Sequence, residues 1–258
     1  MTMDALASIS PTGWAIILIG ALVAGWIDAV IGGGGLVLIP LIMAAAPGLP
    51  PVMALASNKF AACFGTASAA ITLNKRLGFS RKNLIYIPIA LIFSACGALL
   101  ASSINKEVLR PAVIVLLLLA GLIVVFKPDF GSAASPKPKL WWWTLPAVGL
   151  IAFYDGSFGP GTGMFLIMAF TALTAQDFLR SAATAKLINT CTNVGALVMF
   201  IIHGDVLFPL AIAAAVANII GAQLGSRTVL KSGPTFIRYA LLTLVVVMCC
   251  YLGWQQLA

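Results

Sequence analysis

Charged side chains are scarce in this chain, at 9% of its 258 residues, with seven acidic residues and one histidine. A soluble domain keeps about a quarter of its residues charged, so an ordinary soluble protein is excluded. Enzyme signatures are missing as well: there is no HExxH, GxSxG, P-loop or Cys/His cluster. The run GGGG before LVLIP is not a dinucleotide fingerprint, because no soluble strand precedes it and no acidic residue follows. The five cysteines, Cys63, Cys96, Cys191, Cys249 and Cys250, show neither metal-ligand nor disulfide spacing. They read as small buried packing residues within apolar runs, and no metal or cofactor is expected. The opening MTMDALASISPTG lacks a basic segment and a cleavage site, which argues against a removed signal peptide.

Apolar sequence fills the space. Hydrophobic residues reach 61% and mean hydropathy is +1.08. Apolar runs of about 17–25 residues recur, the length a bilayer-spanning helix needs. The fold class is therefore an all-α polytopic membrane protein, with the lipid bilayer as solvent. The formal net charge of +8 sits mostly in short loops. This distribution suits topological signals rather than nucleic-acid binding.

Within the apolar sequence, AGWIDAVIGGGGLVLIPL at 24–41 carries an acid and four glycines. A near copy, IAFYDGSFGPGTGMFLIMAF, occupies 151–170. Asp28 aligns with Asp155, Gly32 with Gly159, Gly34 with Gly161 and Lys59 with Lys186, at one offset of about 127 residues. The chain divides accordingly into a first repeat at 1–127, a cytoplasmic linker at 128–139 and a second repeat at 140–258. Each repeat comprises a Gly-broken helix followed by three transmembrane helices. The first broken element spans 13–46, with its interruption at Gly32–Gly35; helices at 52–73, 84–102 and 111–126 follow. The second spans 140–174, with helices at 181–202, 206–224 and 239–254 after it. Trp141–Trp143 reads as an interfacial anchor.

If each broken element crosses the bilayer, the repeats are parallel. If each enters and leaves on one side as a hairpin, they are inverted. Inversion places the clusters Lys75, Arg76, Arg81, Lys82 and Arg227, Lys231, Arg238 together with the linker in the cytoplasm. The positive-inside tendency favours that arrangement.

The breaks carry the first chemical hint. Adjacent glycines, and Gly159-Pro-Gly-Thr-Gly163, disfavour continued helix. Irregular backbone at membrane depth is tolerated only inside protein or along a water-filled cavity. Each break exposes N–H groups and a positive dipole end, at Leu36 onward and Met164 onward, as an anion site would need. The candidate backbone positions are Gly32, Gly33, Gly34, Gly35, Gly159, Gly161, Thr162 and Gly163. The alternative is close helix contact through small residues.

Lys59 and Lys186 lie about 10 Å inside their helices, a depth at which an ionisable group is a functional candidate by default. Lys186, Asn189 and Asn193 share one helical face, with Thr184 nearby; Ser57, Asn58 and Thr66 attend Lys59. An ammonium with amides and hydroxyls suits an anion rich in oxygen acceptors. Snorkelling to the interface is the bland alternative. Asp28 and Asp155 precede the breaks and could couple protons, or could serve only to pair with a lysine or cap loop N–H groups. His203 reads as a solvated turn residue.

These segments resemble the TauE/SafE family of membrane permeases, also described as sulfite exporters or sulfonate uptake proteins. The likeness rests on AGWIDAVIGGGGLVLIP, ASNKFAACFGTASAA, YDGSFGPGTG and AATAKLINTCTNVGAL in this order. It implies a bacterial inner-membrane secondary transporter of small sulfur-containing anions such as sulfite or organosulfonates, not an enzyme. An anion channel built on the same lysines and glycines is the alternative, and a membrane subunit that only recruits partners is a third reading.

Overall fold

The computed structural model describes residue 6, residues 9–104, residue 107, residues 141–174 and residues 176–232. Eight α-helices are described: α1 Pro11–Ile31, α2 Gly34–Ala45, α3 Pro51–Leu77, α4 Tyr86–Ser103, α5 Thr144–Ser157, α6 Thr162–Thr174, α7 Phe178–Ile202 and α8 Phe208–Lys231. Short 3₁₀ turns at Arg81–Ile85 and Trp141–Trp143 lead into α4 and α5. No strand occurs among the described residues. The expected helices at 111–126 and 239–254 and the linker at 128–139 lie outside them.

Among the described residues four segments are long and apolar enough to cross a membrane: Pro11–Ile31, Arg81–Ser103, Phe178–Ile202 and Phe208–Lys231. At 27 residues α3 is longer than any of these but more polar, since it carries Ser57, Asn58, Lys59, Thr66 and Asn74. The first four of those side chains are buried, so α3 hides its polar face inside the bundle. Elsewhere the exterior is apolar, as lipid requires: Ile16 and Ile19 on α1, Ile92 on α4, and Ile212, Val216 and Ile220 on α8 are exposed.

Both broken elements are hairpins. A Cβ placed on Gly13 would touch the Ala45 carbonyl, on Gly20 the Leu41 side chain and on Gly34 the Ala24 carbonyl, so α2 returns antiparallel along α1. In the second element Tyr154 packs edge-on against Phe165, while Leu145 and Thr174 line one cavity. Helices α2, α5 and α6, at 12, 14 and 13 residues, reach only about 18–21 Å, short of a hydrocarbon core of about 30 Å.

The turn in the first hairpin is tighter than Gly32–Gly35. It occupies Gly32–Gly33, with φ +85° at Gly32, and Gly34 and Gly35 already belong to α2. In the second hairpin positive φ falls on Gly159 and Gly161, and α6 resumes at Thr162. Other ends shift as well. Asp177 caps α7 by accepting from the Arg180 N–H at 2.9 Å, which starts that helix at Phe178 rather than 181. Helix α8 continues to Lys231 instead of stopping at 224, because backbone hydrogen bonds persist where side chains turn polar.

Helix directions follow from paired residues. Asn74 bonds to the Ala183 carbonyl, Thr190 to Thr66 and Lys59 to Asn193, so α3 and α7 run antiparallel. The first hairpin opens where α3 begins and the second where α7 begins. They therefore enter from opposite faces, and their tips touch. A Cβ on Gly32 would lie 2.5 Å from the Met164 nitrogen, and one on Gly163 would lie 2.5 Å from the Gly32 Cα. Helix α1 lies against α8 through Gly25, Gly221 and Gly225, and α5 against α4 through Gly97 and Gly156; these contacts are backbone to backbone.

The cysteines only partly follow expectation. Cys63 and Cys191 are half-buried, but Cys96 is exposed on the apolar exterior, where a small thiol meets no desolvation penalty in lipid. Cys249 and Cys250 lie outside the described residues. His203 is exposed in its turn, with Nδ1 2.9 Å from the Met199 carbonyl.

Candidate functional site

The two hairpin tips bring the conspicuous polar residues together. Lys59, about 12 Å along α3 by the helical rise, directs its Nζ to Asp155 Oδ1 at 2.7 Å and to Asn193 Oδ1 at 3.3 Å. Both members of that ion pair are 2% exposed. Lys186, at the matching position of α7, meets the Asp28 carboxylate at 3.3 Å and also donates to the Asp28 carbonyl. Each lysine thus pairs with the aspartate of the other half of the chain. The aspartates do pair with lysines, and the pairing is crossed.

The surroundings of the two aspartates differ. Asp28 Oδ1 accepts from the Gly34 N–H at 3.3 Å and caps the N-terminus of α2. Asp155 spends one oxygen on Lys59, and its buried Oδ2 has no hydrogen-bond partner among the described residues. A buried carboxylate oxygen left unsatisfied is costly, so it marks a place where a proton, a water or a ligand would be stabilised.

The remaining candidates divide into four groups. Thr66 is buried and joins α3 to α7: it donates to the Ala62 carbonyl at 2.7 Å and accepts from Thr190 at 3.1 Å and Asn193 at 3.4 Å. Asn58 is buried beside the first tip, its Nδ2 3.5 Å from where a Gly35 Cβ would stand. Gly159 packs against the Lys59 ammonium, Thr162 donates to the Gly159 carbonyl at 2.9 Å, and Gly161 holds the αL turn. Asn189 stands apart: it is buried, but its amide oxygen accepts from Thr192 on its own helix. Among the described residues no hydrogen bond joins it to either lysine.

One expectation about the tips needs correction. The Leu36 and Met164 N–H groups are not open donors, because they bond to the Gly33 and Gly161 carbonyls at 3.0 Å each. Both helices start two residues earlier than the sequence suggested, and on the first tip Asp28 already occupies the Gly34 donor.

Several participants escaped the sequence reading. Tyr154 donates to the Pro160 carbonyl at 2.7 Å and ties down the second tip. Thr190 follows Lys186 by one turn, and the one-face rule that selected Asn193 also selects it. Asn218 is buried on α8, donates to the Ala21 carbonyl at 3.1 Å and occupies the hollow left by Gly65. A lone mid-helix asparagine was its only signal.

Chemically, the candidate site is a largely buried cluster of two ammoniums and two carboxylates at the contact of two backbone turns. The ammoniums would attract an anion, and each is already neutralised by a carboxylate that such an anion would have to displace. No group of three or more His, Cys, Asp or Glu capable of holding a metal occurs among the described residues.

Comparison with known proteins places the chain among membrane transporters. The model of the family described as Sulfite exporter TauE/SafE matches residues 17–252. The probable membrane transporter protein YfcA of Escherichia coli K12 is 35% identical over 257 residues, covering 99% of this chain and 95% of the relative. The probable membrane transporter protein ORF9 of a Sinorhizobium species is 35% identical over 228 residues, covering 87% and 86%. A probable membrane transporter protein of Haemophilus influenzae is 32% identical over 245 residues, covering 94% and 95%. No solved structure matches. The family model covers nearly the whole length and the relatives are matched end to end: the chain belongs to the TauE/SafE family of membrane transporters.

Proposed function

We propose that the protein is a secondary transporter of small oxyanions, sulfite or organosulfonates foremost, with its site at the crossed lysine–aspartate pairs. The observation that carries this reading is the burial of Lys59 and Lys186 where two opposed hairpins meet. Buried ammoniums at membrane depth are functional by default, and broken elements in corresponding positions mark a transporter's binding site. Antiparallel α3 and α7, equivalent helices of the two halves, support inverted repeats. The charge distribution supports the orientation. Lys75, Arg76, Arg81, Lys82, Arg180, Arg227 and Lys231 gather at one face, and Asp205 lies at the other, held by Ser102 at 2.8 Å. The positive-inside rule makes the basic face cytoplasmic and suits a bacterial inner membrane.

In this scheme an arriving oxyanion takes the lysine donors from a carboxylate, which then accepts a proton. Asp155, with its unpartnered oxygen, is the better placed coupling group. Asn193, Thr66 and Asn58 orient the anion's oxygens. The hairpins rock against the rest of the bundle, so that the site opens to one side at a time.

The test is uptake of isotope-labelled sulfite into proteoliposomes, with and without a pH gradient, for wild type, Lys186→Ala and the charge-neutralised pair Lys186→Gln/Asp28→Asn. Saturable flux abolished in both variants, with both inserted and monodisperse, is the expected result. Unchanged flux in the paired variant would sink the site assignment. Wild-type flux far above carrier turnover would instead establish a channel.

A further inference from the structure

Two cavities adjoin at the basic face, away from the crossed pairs. The larger, of about 600 Å³, is lined by Arg81, Lys82, Tyr86, Leu145 and Thr174 among others. The smaller, of about 320 Å³, is lined by Asn74, Arg180, Ala183 and Thr184 among others. Ser80, Asn83 and Gln176 belong to both.

The lining is selective in its chemistry. It offers three cationic side chains, and no acid appears among the described lining residues. The adjacent Asp177 sits 3.6 Å from Arg180 Nε and offsets part of one charge only. The polar wall is pre-set: the buried Asn83 donates to Thr184 at 3.0 Å, and Thr184 donates to the Gln176 oxygen at 3.3 Å. The chain of bonds occupies the Gln176 oxygen rather than its NH₂ donors. Guanidiniums with fixed amide donors suit a tetrahedral oxyanion.

The smaller cavity also abuts the seam that leads inward. It ends on Asn74 and Ala183, whose bond at 3.2 Å closes the basic end of the α3–α7 contact. About 12 Å further along α3, by the helical rise, the same contact presents Thr66 and Thr190, then Asn193 and Lys59.

We propose that these cavities form a second oxyanion site, at the basic mouth of the seam to the crossed pairs. Its ligand carries a sulfate-, sulfonate- or phosphate-type group, either free in solution or on an anionic lipid headgroup. Only its role as an antechamber rests on the transport reading above; binding does not.

The test uses the full chain in phosphatidylcholine nanodiscs, with equilibrium binding of labelled inorganic sulfate, and in discs with added phosphatidylglycerol, with lipid retention read by native mass spectrometry. Arg81→Gln/Lys82→Gln/Arg180→Gln should weaken sulfate binding or phosphatidylglycerol retention at least tenfold. Arg81→Lys/Arg180→Lys, which keeps both charges and loses only the guanidinium fork, should weaken binding less than the triple variant does, which separates lost charge from lost fold. Lys186→Gln/Asp28→Asn should leave this site intact, so failure of the central site is read separately. If added phosphatidylglycerol displaces sulfate, the headgroup is the resident ligand; if it does not, the free anion is. Equal binding by wild type and the triple variant overturns the proposal, and so does a wild type that holds neither ligand.

Discussion

Removal of one partner from the Lys59–Asp155 pair should be far more damaging than removal of both. At 2.7 Å the gross attraction at an effective dielectric of about 20 is about 6 kcal/mol. Desolvation of both ions offsets most of that, so the net value of the pair is small, whereas a lone buried charge costs about 3–5 kcal/mol. Lys59→Met or Asp155→Leu alone should therefore each destabilise by about 3–5 kcal/mol. The double variant Lys59→Met/Asp155→Leu should lose less than either and keep the tips in contact. The assay is a double-mutant cycle from reversible detergent unfolding of the purified protein, with sulfite flux measured on the same preparations. A cycle that closes within about 0.5 kcal/mol means independent sites and would refute the ion pair. A double variant that recovers both stability and flux would refute a transport role for the pair. The Lys186–Asp28 cycle should give a smaller coupling, since that pair is longer, at 3.3 Å, and Asp28 is 13% exposed.

Gly163→Ala should abolish the fold, because the added methyl would stand 2.5 Å from the Gly32 Cα; Gly48→Ala, with nothing within 4 Å, should shift stability by no more than about 0.5 kcal/mol. Size-exclusion profiles of detergent-solubilised protein check both. Tyr154→Phe removes the bond to the Pro160 carbonyl and should lower stability by about 1 kcal/mol, read by the same unfolding assay. Gly65→Ala should be strongly destabilising because its methyl would overlap the Asn218 amide. Adding Asn218→Ala should recover part of the loss, and additive effects would contradict that contact.

The features legible in the sequence were those that stand out against apolar surroundings. Two acids, two glycine-rich breaks and two deep lysines at one offset need no tertiary information to be noticed. The partner of each charge was not legible. Asp28 is equally able, by sequence, to face Lys59 or Lys186, and only the opposed entry of the two hairpins decides it. The true start of α2 was missed because adjacent glycines blur the end of the turn; the Asp28 carboxylate on the Gly34 N–H settles it. Asn189 was placed at the site by its helical face, yet it bonds within its own helix, since a shared face does not dictate a side chain's rotamer. The hairpins themselves followed from a length too great for one span, once the antiparallel return of α2 along α1 is known.

The crossed pairing also bears on how such a chain could have arisen. On the inverted-repeat reading proposed above, a half-length ancestor carrying one aspartate before its break and one lysine after it would hold two charges directed away from each other. Neither could be neutralised within a single copy, and stability would require a second copy inserted upside down. The two halves of the present chain, expressed separately, should each be degraded, and expressed together they should rescue one another.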